Sequence, residues 1–246
     1  MAIFYFMLAL HPEPIFHIGT FTVTNTILNT LLVDVILIAL AWFVTTKAKL
    51  IPGFFQTCIE LLIEGFYNLT KSVAADKTMK IFPYVMTFFL VILISNWSGL
   101  FPFLTAITFQ PPGEEHMHLF RSASTDLNFT LALAIVSLVA THAMSINTLG
   151  IKAYLNRFFP LNPLGLYTGL LELISEFTKV ISFSFRLFGN VFVGEVMLLT
   201  LSTAAALLVP IPLLMYELLV GIIQASIFAL LTMAFMAIFT TPHEKH

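Results

Sequence analysis

The sequence predicts an all-α integral membrane protein: five membrane helices plus one amphipathic interfacial helix, with the last two membrane helices forming a long, strongly tilted hairpin. Three observations predict it. Of 246 residues 59% are hydrophobic and only 10% are charged, and mean hydropathy is +0.96, whereas a soluble domain carries about 25% charged residues. Several apolar runs are long enough for spanning helices and too long for barrel strands. One further stretch, 53–75, repeats polar and apolar residues at helical spacing, as a helix lying in the interface does. The chain reads as a single membrane domain, 1–246, with no internal repeat. A net charge of −2 gives no sign of a nucleic-acid partner, and the lone Cys58 rules out an intrachain disulfide.

Residues 1–25 read as an outer N-terminal segment. Its apolar start, Met1 to Leu10, lacks a basic flank and a small-residue cleavage site, so it is expected to be retained. The first span is 26–45, closed by Lys47 and Lys49. In 53–75, Glu60, Glu64, Asn68 and Lys71 share one face, while Ile59, Leu62, Ile63, Phe66 and Leu69 share the other. The second span is 81–104, ending at Pro102, and a polar outer loop covers 105–125. Asp126 opens the third span, 126–149, and Lys152 and Arg157 lie just beyond it.

Two segments remain, 166–208 and 213–240, separated by Pro210-Ile211-Pro212. As helices they would extend roughly 65 Å and roughly 42 Å, against about 30 Å of hydrocarbon. Ordinary tilts of about 20° cannot absorb that excess, so a strongly inclined hairpin is expected. Under five crossings Lys47, Lys49, Lys71, Lys77, Lys80, Lys152, Arg157 and Lys245 share one side, with only Arg121 opposite. The positive-inside rule then puts the N-terminus outside and the C-terminus in the cytoplasm.

The chemistry concentrates in the hairpin. Arg186 sits in the middle of a proline-free apolar stretch, far from either end. A guanidinium at that depth costs about 2.5–3.5 kcal/mol on insertion scales, and it cannot lose its proton. It must meet a partner or a wet cavity. Glu172, Lys179 and Arg186 recur every seven residues, within about 40° of one another and spaced roughly 10 Å apart along a helix. Glu176, Ser182 and Asn190 widen that stripe. Local pairing is the competing reading for Glu172, Glu176 and Lys179. It does not serve Arg186, because no carboxylate stands at 182, 183, 189 or 190.

The return helix offers Glu217 and Gln224 on one face. A single antiparallel register places Gln224 opposite Arg186 and Glu195 within about one turn of Glu217. Glu195 lies about 180° around the helix from Arg186, so the two cannot point at one partner. Asp126 and Asn128 suit a helix cap better than a pathway. Asp34 and His142 suit interhelical hydrogen bonds. Glu114, Glu115, His116 and His118 suit an exposed polar loop better than a metal site. No P-loop, H-E-x-x-H or G-x-S-x-G is present, so no metal, cofactor or ATP-hydrolysing site is expected on this chain.

Several motifs carry a resemblance: Arg186-Leu187-Phe188-Gly189-Asn190 followed by Gly194-Glu195; Pro52 to Thr57 with Ile59-Glu60-Leu61; Ser124 to Ala132; and Gly221 to Ala225 with Ile227-Phe228. Together, in this order and spacing from about residue 20 to the C-terminus, they resemble subunit a of the F-type (F1Fo) ATP synthase, bacterial type. The resemblance implies a stator proton channel whose two offset half-channels pass protons to and from a carboxylate on a ring of c subunits. Arg186 would be the essential arginine facing that ring. Glu195, Glu217, Asn190 and Gln224 match the outer half-channel, with Asp126 near its mouth, while Glu172, Lys179 and Ser182 fall on the inner side. Implied partners are the c ring, the peripheral-stalk b subunits, the rest of the F1Fo complex and the lipid bilayer. The implied location is the bacterial inner membrane; acidic groups at both 195 and 217 depart from the mitochondrial pattern. Two other functions compete: a self-contained secondary transporter binding an anion at Arg186, which should show inverted repeats, and a scaffold whose charges merely pair.

Overall fold

The computed structural model describes residues 14–19, 21–101, 107–109, 117–160, 162–204 and 210–241. The apolar N-terminal decapeptide, Pro102, Glu114 to His116 and Lys245 lie outside the described residues, so the expectations that fall on them are not addressed by the structure. Two short strands, β1 (Pro14–Ile18) and β2 (Phe21–Thr24), pair antiparallel and lead into α1 (Asn25–Lys47). Then come α2 (Phe54–Ala74), a 3-10 turn at Ala75–Lys77, and α3 (Thr78–Ser98). A second small antiparallel pair, β3 (Thr108–Phe109) with β4 (Met117–His118), precedes α4 (Leu127–Leu149). The chain continues as α5 (Ile151–Phe158), α6 (Pro163–Ala204) and α7 (Pro210–Thr240).

Five helical stretches are long and apolar enough to cross a membrane: Asn25–Lys47, Phe54–Ser98, Leu127–Leu149, Gly165–Leu198 and Pro210–Thr240. The protein is thus an all-α membrane protein, and the two strand pairs are small additions. Boundaries move for local reasons. The second span ends at Ser98 rather than 104, and α7 begins at Pro210 rather than 213. Proline is tolerated in the first turn, where its missing N–H has no helical partner anyway, so Pro210 and Pro212 open the helix instead of preceding it. Helix α5 was not foreseen; Gly150 starts it with a φ of +83°, a backbone angle that glycine adopts without strain.

The structure divides into two compact units. The first comprises 1–52, 89–130 and 186–226. Polar hydrogen bonds hold its helices: Asn29 on α1 donates to Ser98 on α3 at 2.7 Å, and Thr26 donates to Asp126 at 3.2 Å. The Trp97 indole donates to the Leu218 carbonyl of α7 at 3.3 Å. The second unit comprises 53–88, 131–185 and 227–246. Its centre is apolar and aromatic, with Ile81, Val85, Phe88, Phe183, Phe228, Met236 and Phe239 buried. Ser137 on α4 meets Thr232 on α7 at 2.9 Å. Small residues and hydroxyls at such contacts let apolar helices approach closely where hydrophobicity alone gives no drive.

Within each unit α6 runs antiparallel to α7. Asn190 bonds Gln224 in the first unit, and Phe183 packs on Phe228 with ring centroids 5.0 Å apart in the second. Gln224 takes as its partner Asn190, four residues beyond the expected Arg186. The contacts Gly194–Glu217 and Phe183–Phe228 fall within about one residue of the expected register, so the difference is one of side-chain reach.

Candidate functional site

Arg186 lies on α6 between fully buried Leu187 and exposed Phe185, and is itself exposed. Ser182 and Asn190, one turn before and after it, are exposed too, as are Ile181 and Val193. A helix surface alternates in this way when one face packs on its own chain and the other faces outward. The outward face therefore carries a permanent cation in the middle of a segment of spanning length.

The first polar cluster belongs to the first unit. The Asn190 amide donates to the Gln224 Oε1 at 2.7 Å. Glu195 pairs with Arg121 at 3.2 Å, the Arg121 side chain being 10% exposed and that of Glu195 32%. Glu217 projects from α7 against Gly194, so closely that a Cβ there would overlap its carboxyl group. Its Oε1 has no hydrogen-bond partner among the described residues. A cavity of about 180 Å³ opens beside it, lined in part by Asn96, Asn190, Gly194, Tyr216, Glu217 and Gln224. That is room for several waters, which a polar lining favours. Asp126 does not join the cluster as a free carboxylate: it caps α4 by accepting the Asn128 backbone N–H at 2.8 Å and accepts from Thr26 besides.

The second cluster belongs to the second unit. Glu172 is taken by Arg157 of α5 at 2.6 Å, with the guanidinium 4.0 Å above the Phe239 ring. Lys179 pairs with Glu176 one turn back and lies over the rings of Phe235 and Phe239. His142 of α4 brings its Nε2 to 3.6 Å from Glu176 Oε2, and its Nδ1 lies 3.1 Å from the Tyr154 hydroxyl. Burial, reinforced by the charge of Glu176, pushes the Tyr154 phenol above its ordinary value, so the hydroxyl keeps its proton. A second cavity, of about 20 Å³, touches Ser137, Thr141, Glu176 and Lys179.

The structure thus brings Asn190 and Gln224 together, sets Glu217 against the residue preceding Glu195, and holds Glu172 and Lys179 in one unit. Ser182 stays on the outward face with Arg186. Local pairing does occur on the stripe, but Glu172 finds its cation on α5 rather than at Lys179. Asp34, expected to bond another helix, is exposed. His142, expected to bond another helix, does so, to Tyr154 of α5. Sequence reasoning left out Arg121, Arg157, Tyr154 and the position of Glu176 between His142 and Lys179. Arg121 had given one signal, as the single cation of its side. Among the described residues no group of three or more His, Cys, Asp or Glu could hold a metal ion.

Residues 27–237 match the family model described as ATP synthase A chain. The chain is 31% identical over 237 residues to ATP synthase subunit a of Moorella thermoacetica, covering 96% of this chain and all of that one. It is 31% identical over 230 residues to ATP synthase subunit a of Legionella pneumophila strain Paris, covering 93% and 92%. Against ATP synthase subunit a 2 of Pelobacter propionicus it is 30% identical over 225 residues, covering 92% and 90%. With a family model spanning most of the chain and relatives matched nearly end to end, the protein belongs to the ATP synthase subunit a family.

Proposed function

We propose that this chain is the stator proton channel of the membrane sector of a rotary ATP synthase. Two offset half-channels would pass protons to and from a carboxylate on a neighbouring ring of c subunits. The observation that carries the reading is the exposure of Arg186 on the outward face of a spanning helix. A cation there is tolerable when an anion on another polypeptide faces it. Its charge would lower the affinity of a passing ring carboxylate for its proton. It would also raise a barrier to protons slipping directly from one half-channel to the other. Each proton crossing 100 mV carries about 2.3 kcal/mol, which a leak would dissipate.

Asn190, Glu217 and Gln224, which line a cavity of about 180 Å³, and Glu195, which follows the lining residue Gly194, are suited to a hydrated outer half-channel. Asp126 would stand near its mouth, chiefly as a cap. Glu172, Lys179 and Ser182 would serve the inner half-channel. A strongly tilted α6–α7 hairpin would lay both polar clusters along the ring, with the N-terminus outside a bacterial inner membrane and the C-terminus within. The b subunits and the remaining F1Fo complex would complete the assembly, and ATP chemistry would take place on other chains.

A transporter binding an anion at Arg186 would enclose its guanidinium between its own helices; exposure favours the channel. The test is Arg186→Ala in the assembled complex. Expected are normal assembly, loss of ATP-driven proton pumping and a passive proton leak. Pumping retained in that variant would sink the proposal.

A further inference from the structure

Four side chains in the second unit form one connected series: Tyr154, His142, Glu176 and Lys179. Only Lys179 among them has a role in the channel described above. Glu176 is deeply buried, its side chain 7% exposed, whereas the His142 side chain is 19% exposed. The series therefore steps from a dry carboxylate to a partly wet imidazole. Histidine is the one side chain whose ordinary ionisation falls between about pH 5 and 8.

We propose that His142 exchanges a proton with Glu176 and so forms the exit step of the inner half-channel, with Tyr154 as the positioning residue of the imidazole. The inference rests on the channel reading above and adds a residue on α4 to it. In the transfer, the Oε2–H bond of a protonated Glu176 breaks as a bond from that proton to His142 Nε2 forms. A neutral carboxyl–imidazole pair becomes a carboxylate–imidazolium pair of the same net charge. The low-dielectric surroundings therefore see no change in total charge. The imidazolium then releases a proton to water on its exposed side. Before the transfer Nε2 is bare and His142 carries its proton on Nδ1, and afterwards both nitrogens are protonated, so the Tyr154 hydroxyl accepts from Nδ1–H in both states and holds the tautomer that leaves Nε2 open. The present separation of 3.6 Å exceeds a hydrogen bond by a few tenths of an ångström, a gap that commonly closes in the working state.

The surroundings hold this pair in a tuned field. Lys179 stands on the far oxygen of Glu176, which leaves Oε2 to His142. Arg157 and Glu172 neutralise each other on α5 and α6. From α7 the packed groups are the rings of Phe235 and Phe239, and Lys77 caps the Thr240 carbonyl at its end. The cavity of about 20 Å³ between Ser137, Thr141, Glu176 and Lys179 is large enough for one water to bring a proton to Glu176 from the other side.

The test measures passive proton flux through reconstituted Fo, and ATP-driven pumping by the whole complex, from pH 5.5 to 8.5. His142→Gln should slow flux at least fivefold and remove the pH-dependent limb seen in the parent, with assembly monitored by recovery of intact complex. Tyr154→Phe, which keeps the ring packing, should shift the midpoint of that limb and leave the maximal rate nearly unchanged. Glu176→Gln combined with His142→Gln should be no slower than the slower single variant. Flux and pH profile unaltered in His142→Gln would overturn the inference, as would additive losses in the double variant. Failure of the channel reading is distinguishable, because it appears as retained pumping in Arg186→Ala whatever His142 does.

Discussion

Beside Glu217, helices α6 and α7 leave a cavity of about 180 Å³; beside Glu176, the same two helices leave one of about 20 Å³. The difference lies in what the helices present. Around Glu217 stand Gly189, Gly194, Gly221 and the amides of Asn96, Asn190 and Gln224. Around Glu176 and Lys179 stand Phe183 and Phe235, with Phe239 also over the lysine. Glycine and amide make space that water can fill, while aromatic rings exclude it. Under the proposed channel, a proton near Glu217 would move through solvent, whereas one near Glu176 would pass between side chains with room for about one water. Charge is handled differently too. Arg121 pairs with Glu195, and the Glu217 Oε1 has no hydrogen-bond partner among the described residues, but both carboxylates of the aromatic cluster are matched by a cation.

The sharpest way to break this contrast is Arg157→Ala. It leaves the Glu172 carboxylate partly buried without its cation and removes the guanidinium from the Phe239 ring. Breaking such a pair costs about 3–5 kcal/mol, so thermal denaturation of the complex should fall markedly. A stability equal to the parent would mean that the aromatic cluster is wetter than described.

Two glycines allow the same addition to be made in each cluster. A Cβ at Gly169 meets the backbone carbonyl of Phe158, which cannot swing aside; at Gly194 it meets the end of the flexible Glu217 side chain. Gly169→Ala should therefore destabilise by about 1–3 kcal/mol, as overpacking does. Gly194→Ala should leave stability intact and slow proton flux several-fold, because the carboxyl must move. Finding both effects on stability, or neither, would erase the distinction. The smallest effect on stability is expected at Ser137→Ala, where losing the hydroxyl contact with Thr232 should cost about 0.6 kcal/mol, read as a small shift in melting temperature.

Much of the fold was legible because lipid imposes a length and forbids unpaired backbone. All five spans, and the depth of Arg186 within one of them, follow from that constraint alone. Glu217 and Gln224 were readable as one face because seven residues make nearly two turns. The partner of Gln224 was not, since a side-chain amide reaches about one turn either way along the facing helix, and here it finds Asn190. Arg121 and Arg157 were hidden for another reason. They reach Glu195 and Glu172 from segments 74 and 15 residues away in sequence, and helical periodicity carries no information about partners outside its own helix. His142 was read as an interhelical hydrogen-bonding group, without indication that Tyr154 and Glu176 would flank it from two different helices.

The outward placement of Arg186 has a consequence for biogenesis. On insertion scales a guanidinium facing hydrocarbon costs about 2.5–3.5 kcal/mol, on the order of a hundredfold in an equilibrium. Under the proposed function, a ring carboxylate docking against that face would relieve whatever part of this cost the chain's own contacts leave. The last share of α6's accommodation in lipid would then come from a second polypeptide.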